Sequence, residues 1–232
     1  MKKIASLFLL LCISYVTNAQ VINVPGNWPN TNWSVSGTYT SSALINDPTT
    51  SDSFTFNDDA AGSGSNDDIA TESPTIDLTE AIDAGEIQIL FSGLYNHRDI
   101  GGFLTLDYFD ADSSTWIPVF DFPNNGTGTD YVGCSNMQPY EASLIISSFT
   151  ATQLSGFKYR FAYDDDDGYQ WGWCIQQPAI VSSEPSEPNC NAVVSIPANG
   201  SANVEIDTQI TWSEASGFPE GYLISIGTTE SG

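Results

Sequence analysis

The 232-residue sequence carries a formal net charge of −24, from 29 acidic and only five basic side chains. Proteins that bind nucleic acids or anionic membrane surfaces neutralise phosphates with clustered Lys and Arg. This composition therefore excludes both kinds of partner. The carboxylates either keep the protein soluble outside the cell or, in part, bind divalent cations that relieve their mutual repulsion.

The N-terminal segment has the features of a secretory signal peptide. Lys2 and Lys3 precede an apolar run over residues 4–16, and Ala19 supplies the small residue of a cleavage site. The run is shorter than the roughly 20 residues of a membrane span. We therefore expect residues 1–19 to be removed and the chain to be secreted or held at the cell surface, with no membrane insertion. The mature chain would begin at Gln20 with a charge of −26 and only three basic residues, Arg98, Lys158 and Arg160.

Apolar and polar residues alternate along much of the chain, which is the period of a β-strand. Residues 157–163 would place four aromatic side chains on one face and Lys158, Arg160 and Ala162 on the other. Further strands are predicted at residues 88–91, 103–109, 116–122 and 169–181, with Asp, Asn and Gly turns between them. Many short strands with such turns indicate an all-β fold, a two-sheet sandwich over residues 20–183.

A spacer separates this unit from the tail of the chain. Residues 182–188 read SSEPSEP, a solvated and fairly stiff composition, and we place a linker at residues 184–189. Residues 190–232 offer about four strands, whereas an immunoglobulin-like sandwich needs about seven. We expect a partial second domain, and hence a fragment of a longer protein.

Three cysteines follow the signal peptide: Cys134, Cys174 and Cys190. Export makes a disulfide possible, and an odd number leaves one cysteine without a partner. Cys134 and Cys174 lie in the same region of the sequence, so we expect these two to pair. Cys190 belongs to the next unit.

Three segments carry a family resemblance: SNDDIATESPTIDL, GFLTLDYFDADSSTWIPVFDF and KYRFAYDDDDGYQWGWCIQQPAI, which begin at residues 65, 102 and 158. Through them, residues 53–182 resemble the MAM-like jelly-roll modules of secreted Bacteroidetes proteins, including the cleaved-adhesin domains. Residues 196–229 resemble fibronectin type III-like repeats. The resemblance implies a jelly-roll-like β-sandwich, then a partial immunoglobulin- or fibronectin-like β-sandwich, and a role in adhesion or accessory binding. In one departure, Gln176 and Gln177 stand where the family has acids that help to hold the closing strand or a cation.

Two oxygen-rich clusters are candidate calcium sites, because calcium takes six to eight oxygen ligands. For each cluster the alternative is a solvated turn or a flexible acidic loop. The first cluster consists of Asp164, Asp165, Asp166 and Asp167; the second consists of Asp58, Asp59, Asp67 and Asp68, with Asn66.

Aromatic side chains beside the acidic turn are candidate ligand contacts, since flat apolar rings next to polar groups suit sugars. Tyr169 and Trp171 are the main candidates, and Trp173 is predicted to share their strand face. Trp28 and Trp33 are further candidates. The alternative for each Trp is packing in the core, which we favour for Trp173.

The sequence offers no recognisable catalytic motif. His97 is the only histidine and is expected to be a polar loop residue, without a Gly-x-Ser-x-Gly or His-Glu-x-x-His motif. We therefore expect a non-catalytic adhesion or binding module for an extracellular glycan or protein ligand. The alternatives are an accessory domain of a secreted peptidase or glycosidase, a spacer, or an enzyme with two carboxylates facing each other across a pocket.

Overall fold

A computed structural model describes residues 20–63, 66–98, 101–125, 131, 133–184, 194–197, 201–202, 204–205 and 207–212. The predicted signal peptide, almost all of the predicted linker, Cys190 and most of the tail lie outside these residues. The predictions made for them stay predictions.

The described residues form two antiparallel sheets packed face to face. Sheet A has the order β3-β4-β11-β6-β9, with β1 paired to the far end of β11; sheet B has the order β2-β5-β10-β7-β8. These two packed sheets confirm the predicted all-β sandwich. Each sheet combines strands from distant parts of the chain. The strands of sheet A are β1 (Asn23–Pro25), β3 (Ile45–Asn46), β4 (Ser53–Phe56), β6 (Gln88–Arg98), β9 (Gln138–Ile145) and β11 (Gly172–Ser183). Those of sheet B are β2 (Ser34–Thr38), β5 (Asp68–Glu72), β7 (Phe103–Asp110), β8 (Thr115–Asp121) and β10 (Tyr159–Asp164).

In the tail, β12 (Val194–Ile196) pairs with β13 (Thr211–Trp212). The partial immunoglobulin- or fibronectin-like domain itself stays a prediction.

Helices are few and short in the described residues. They are α1 (Asp58–Ala61), α2 (Thr79–Asp83) and α3 (Ala151–Ser155). Polar caps start two of them: the Asn57 side chain accepts a hydrogen bond from the Ala60 amide, and Thr150 forms a capping box with Gln153. None of the described helices has the length and apolarity that a membrane crossing requires.

Aromatic side chains fill the space between the sheets. Tyr159, Phe161 and Tyr163 of β10 are buried, as the alternation predicted, and the Trp173 ring lies 5.6 Å from that of Tyr163. Trp28 and Trp33 belong to the same core. The prediction that they are sugar contacts is wrong, because edge-to-face packing against each other and against Phe161 and Tyr159 leaves them 9% and 6% exposed.

The closing strand of sheet A begins at Gly172, three residues later than predicted. Gly172 has φ +117°, and a Cβ there would lie 2.1 Å from the carbonyl oxygen of Phe56. Only glycine fits such an approach. The shared strand face predicted for Tyr169, Trp171 and Trp173 is therefore wrong. Trp173 points into the core, whereas Tyr169 and Trp171 precede the strand.

His97 is a strand residue, not a loop residue. β6 runs for 11 residues to Arg98, because its last residues pair with the start of β11. His97 is 3% exposed, and its Nδ1 lies 2.9 Å from the carbonyl oxygen of Phe122. The pairing with β11 explains why a polar sequence is buried here.

The predicted disulfide between Cys134 and Cys174 is confirmed, with a Cα–Cα distance of 5.3 Å. It fastens the segment that precedes β9 onto the outer face of sheet A. Asn96 of β6 also holds this segment, because its side-chain amide donates to the Ser135 carbonyl at 2.9 Å.

Replacing both Cys134 and Cys174 with Ala should lower the free energy of unfolding by about 4 kcal/mol, because the bridge closes a long loop in the unfolded chain. The two cysteines are 40 residues apart in sequence. Urea unfolding followed by circular dichroism measures the loss. Cys190→Ala is the matched control and should leave stability unchanged. A C190A loss equal to that of the double variant would show that Cys190 takes part in the cross-link.

Candidate metal centre and ligand-binding surface

Three buried aspartates meet at one end of the sandwich. Asp58 begins α1, Asp67 precedes β5, and Asp165 follows β10. Each offers a carboxylate oxygen within 4.8 Å of the others, and each side chain is fully buried. The two acidic clusters that the sequence presented as alternatives thus contribute to one group.

Strand register brings the three aspartates together. β10 pairs with β5 so that Asp164 lies opposite Asp68, and the Asp165 amide then donates to the Asp67 carbonyl at 3.2 Å. The close approach of Gly172 to Phe56 holds the start of α1 against the turn between β10 and β11. The amide of Gln170 consequently donates to Asp58 Oδ2 at 2.7 Å.

The carboxylates also anchor loop backbone. Asp67 Oδ1 accepts a hydrogen bond from the amide of Thr40 at 2.6 Å, and Asp165 Oδ1 accepts one from the amide of Asp167 at 3.0 Å. Asp165 Oδ2 is buried and accepts no hydrogen bond within the described part of the chain. A buried oxygen without a donor is costly and calls for an explanation such as a bound ion.

Burial raises the pKa of the Asp165 carboxyl, and the charges of Asp67 and Asp164 act in the same direction. Backbone hydrogen bonds involving Asp67 and Asp167 lower this pKa and oppose the change. Because the folded state favours the protonated form, ionised Asp165 reduces stability as pH rises through the raised pKa. A nearby cation would reverse this preference.

The other predicted metal ligands lie around the cluster and are exposed or half-buried. They make local contacts: Asp59 accepts a hydrogen bond from the Tyr169 hydroxyl, and Asp167 accepts one from the Asn66 side chain. Those outside the cluster are Asp59, Asp68, Asp164, Asp166 and Asp167.

The family departure lies away from the three aspartates. Gln176 and Gln177 form a β-bulge in β11, where Gln177 has φ +51°. Neither belongs to the cluster, so their neutrality does not remove a carboxylate from it.

The rim of the cluster carries the predicted ligand contacts. Tyr169 is 43% exposed and donates its hydroxyl to Asp59, while the Trp171 carbonyl accepts from the Asp59 amide at 3.3 Å. Thr40, which anchors Asp67, was missed, because nothing in the sequence marks a threonine 27 residues away as a partner.

No protein-family model matches this chain, and no curated protein matches it. Among solved structures, the K1 cleaved adhesin domain of Lys-gingipain from Porphyromonas gingivalis W83 is similar, with 8% identity and a TM-score of 0.45 over 70% of this chain and 99% of that domain. The K3 domain of the same protein has 10% identity and a TM-score of 0.43, over 71% of this chain and 100% of that domain. TmCBM61, solved with β-1,4-galactotriose, has 12% identity and a TM-score of 0.37, over 65% of this chain and 88% of that chain.

Two of these structures are cleaved-adhesin domains, the kind of module that residues 53–182 resemble. The MAM-like and fibronectin type III-like parts of the resemblance stay predictions. At such low identity the likeness concerns the fold alone and says nothing about what this chain binds.

Proposed function

We propose that this chain is an exported, non-catalytic binding or adhesion module whose loop end is organised by calcium. The convergence of Asp58, Asp67 and Asp165, fully buried and within 4.8 Å of one another, carries this proposal. The donors are all carboxylate oxygens, which suit a hard cation, and calcium tolerates irregular oxygen geometry better than magnesium does. The unsatisfied Asp165 Oδ2 supports the fit.

A cation held by these residues would have a structural role. The three side chains are closed to solvent, so a substrate would have no path to an ion among them. Each of the three carboxylates also accepts a hydrogen bond from a backbone amide, that of Thr40, Asp167 or Gln170. Bound calcium would supply positive charge that offsets the repulsion of the carboxylates and ties three separate segments together.

The grooves of the described surface favour binding over catalysis. A groove of about 460 Å³ lies on the outer face of sheet A, and its carboxylates are Glu141 and Glu184. Both side chains are exposed, whereas a catalytic acid is normally desolvated in its pocket. The module itself is therefore non-catalytic, whether the parent protein is an adhesin or a hydrolase.

Ligand contact is proposed at the rim of the calcium site. Tyr169 and Trp171 lie on the turn that Asp58 and Asp59 hold through hydrogen bonds. An ordered turn loses less conformational entropy on binding. The ligand would be an extracellular glycan or protein.

Calcium should raise the melting temperature of the full chain by several degrees over sodium or magnesium at equal ionic strength. A site at 100 times its dissociation constant adds about 2.7 kcal/mol. Asp165→Asn should abolish the rise. Asp166→Asn, an exposed change on the same turn, should preserve it, since Asn also tolerates the positive φ of Asp166. Equal melting temperatures in all three salts would refute the calcium site, as would an equal loss in D166N.

Binding is tested with the labelled full chain on arrays of extracellular glycans and matrix proteins, in calcium and in chelator. We expect saturable binding to at least one class, weaker in chelator and several-fold weaker in Tyr169→Ala. Val24→Ala, a change at another exposed apolar side chain, is the control and should bind normally. No binding to either class would indicate a spacer and contradict the proposal.

A further inference from the structure

The outer face of sheet B holds the only basic side chains beyond residue 19 that reach solvent. Three basic residues follow residue 19, and the structure describes all three. Arg98 is 4% exposed, whereas the side chains of Lys158 and Arg160 are 27% and 26% exposed. In a chain with a formal charge of −26 after residue 19, two cations on one face form a distinct surface.

Register places each cation beside a carboxylate. Arg160 lies directly opposite Glu72 on one side and Asp107 on the other, so the three side chains share one face. Arg160 Nε donates to Asp107 Oδ2 at 2.8 Å, and Lys158 Nζ donates to Glu72 Oε2 at 3.2 Å. Each cation is thus locally neutralised by a carboxylate, and the row is rich in donors and acceptors.

Hydrogen-bonding capacity remains in these pairs. Asp107 is 3% exposed and its Oδ1 is closed to solvent, so this carboxylate positions Arg160 and does not face a ligand. The Glu72 side chain, in contrast, is 25% exposed and can accept a hydrogen bond from outside. Arg160 donates only its Nε–H to the described part of the chain, which leaves the remaining guanidinium donors for a ligand. A vicinal diol complements this arrangement, since one hydroxyl can donate to the Glu72 carboxylate while its neighbour accepts from the guanidinium of Arg160, which lies opposite Glu72.

Aromatic rings extend the charged row. Phe109 and Trp116 are paired across β7 and β8, with ring centroids 5.2 Å apart. The Arg160 guanidinium lies 4.7 Å from the Trp116 centroid, and the Lys158 ammonium lies 4.7 Å from that of Phe109. Both rings are half-buried. Apolar ring surface therefore adjoins the polar groups, a combination that suits a sugar.

A strip of small side chains runs beside the charged row. It consists of Ser36, Ala70, Ala162 and Thr105, which lie opposite one another in four neighbouring strands. Phe103, 58% exposed, lies on the far side of the strip. Small side chains in this row would not obstruct a linear chain of sugar rings laid across the sheet.

We infer, building on the binding function proposed above, that the outer face of sheet B is a second, separate contact surface that binds a neutral glycan. A sugar ring packs against Trp116, and its vicinal hydroxyls bond to the Arg160 guanidinium and the Glu72 carboxylate. The glycan is neutral because both cations already have carboxylate partners and the net charge of the chain repels polyanions.

Affinity electrophoresis of the full chain tests this inference. Gels contain galactomannan, xyloglucan, β-1,4-galactan or mixed-linkage glucan as neutral probes, and polygalacturonate as the anionic comparison. We expect retardation by at least one neutral probe and not by polygalacturonate. Trp116→Ala and Arg160→Gln should each weaken binding about ten-fold, and Trp116→Phe should retain most of it.

The matched control is Ile117→Ala, which removes an exposed side chain on the opposite side of β8 and should bind normally. Melting temperatures show whether each variant is folded. No retardation by any neutral probe, retention by polygalacturonate, or normal binding by both W116A and R160Q would overturn the inference. Loss of retention in Tyr169→Ala but not in W116A would overturn it and leave the proposed function standing, as would array binding to proteins alone.

Discussion

Three buried carboxylates repel one another at the loop end of this sandwich, and this repulsion must be offset for the loops to be ordered. Carboxylate oxygens of Asp58, Asp67 and Asp165 lie within 4.8 Å of one another, and burial raises the pKa of the Asp165 carboxyl. The divalent cation proposed for this site would convert the repulsion into a link between α1, β5 and the β10–β11 turn. The same turn carries Tyr169, and the strand that follows it contains Cys174 of the disulfide. One member of the aspartate cluster, one cysteine of the disulfide and the proposed ligand contact Tyr169 therefore lie within residues 165–174.

The two outer faces of the sandwich differ in what lies on them. The disulfide and the bond from Asn96 to Ser135 hold a segment over part of sheet A. On sheet B, the neutral charge pairs and Trp116 lie on a face where Ser36 and Pro118 are exposed. Each cation on this face is paired with a carboxylate, and this is why the inferred partner is neutral.

Local chemistry was readable from the sequence, and long-range geometry was not. Alternation over residues 157–163 predicted which side chains of β10 are buried. The expected export, the odd number of cysteines and their positions in the sequence predicted the Cys134–Cys174 bond. The sequence could not show that Gln170 and Asp58, 112 residues apart, are hydrogen-bonded neighbours, because this depends on the register of β10 with β5 and on the contact at Gly172. The two acidic clusters therefore looked like alternatives. Trp116 passed unnoticed because its cationic neighbours come from another strand.

Hydrogen exchange tests most directly whether an ion holds the loop end. The amides of Thr40, Asp167 and Gln170 each donate to one of the three carboxylates. With calcium, these three amides should exchange at least about ten-fold more slowly than in chelator with matched ionic strength, because local opening would require release of the ion. The amide of Phe161, at the centre of β10, should be unchanged. Equal exchange rates for the three loop amides with and without calcium would contradict the account.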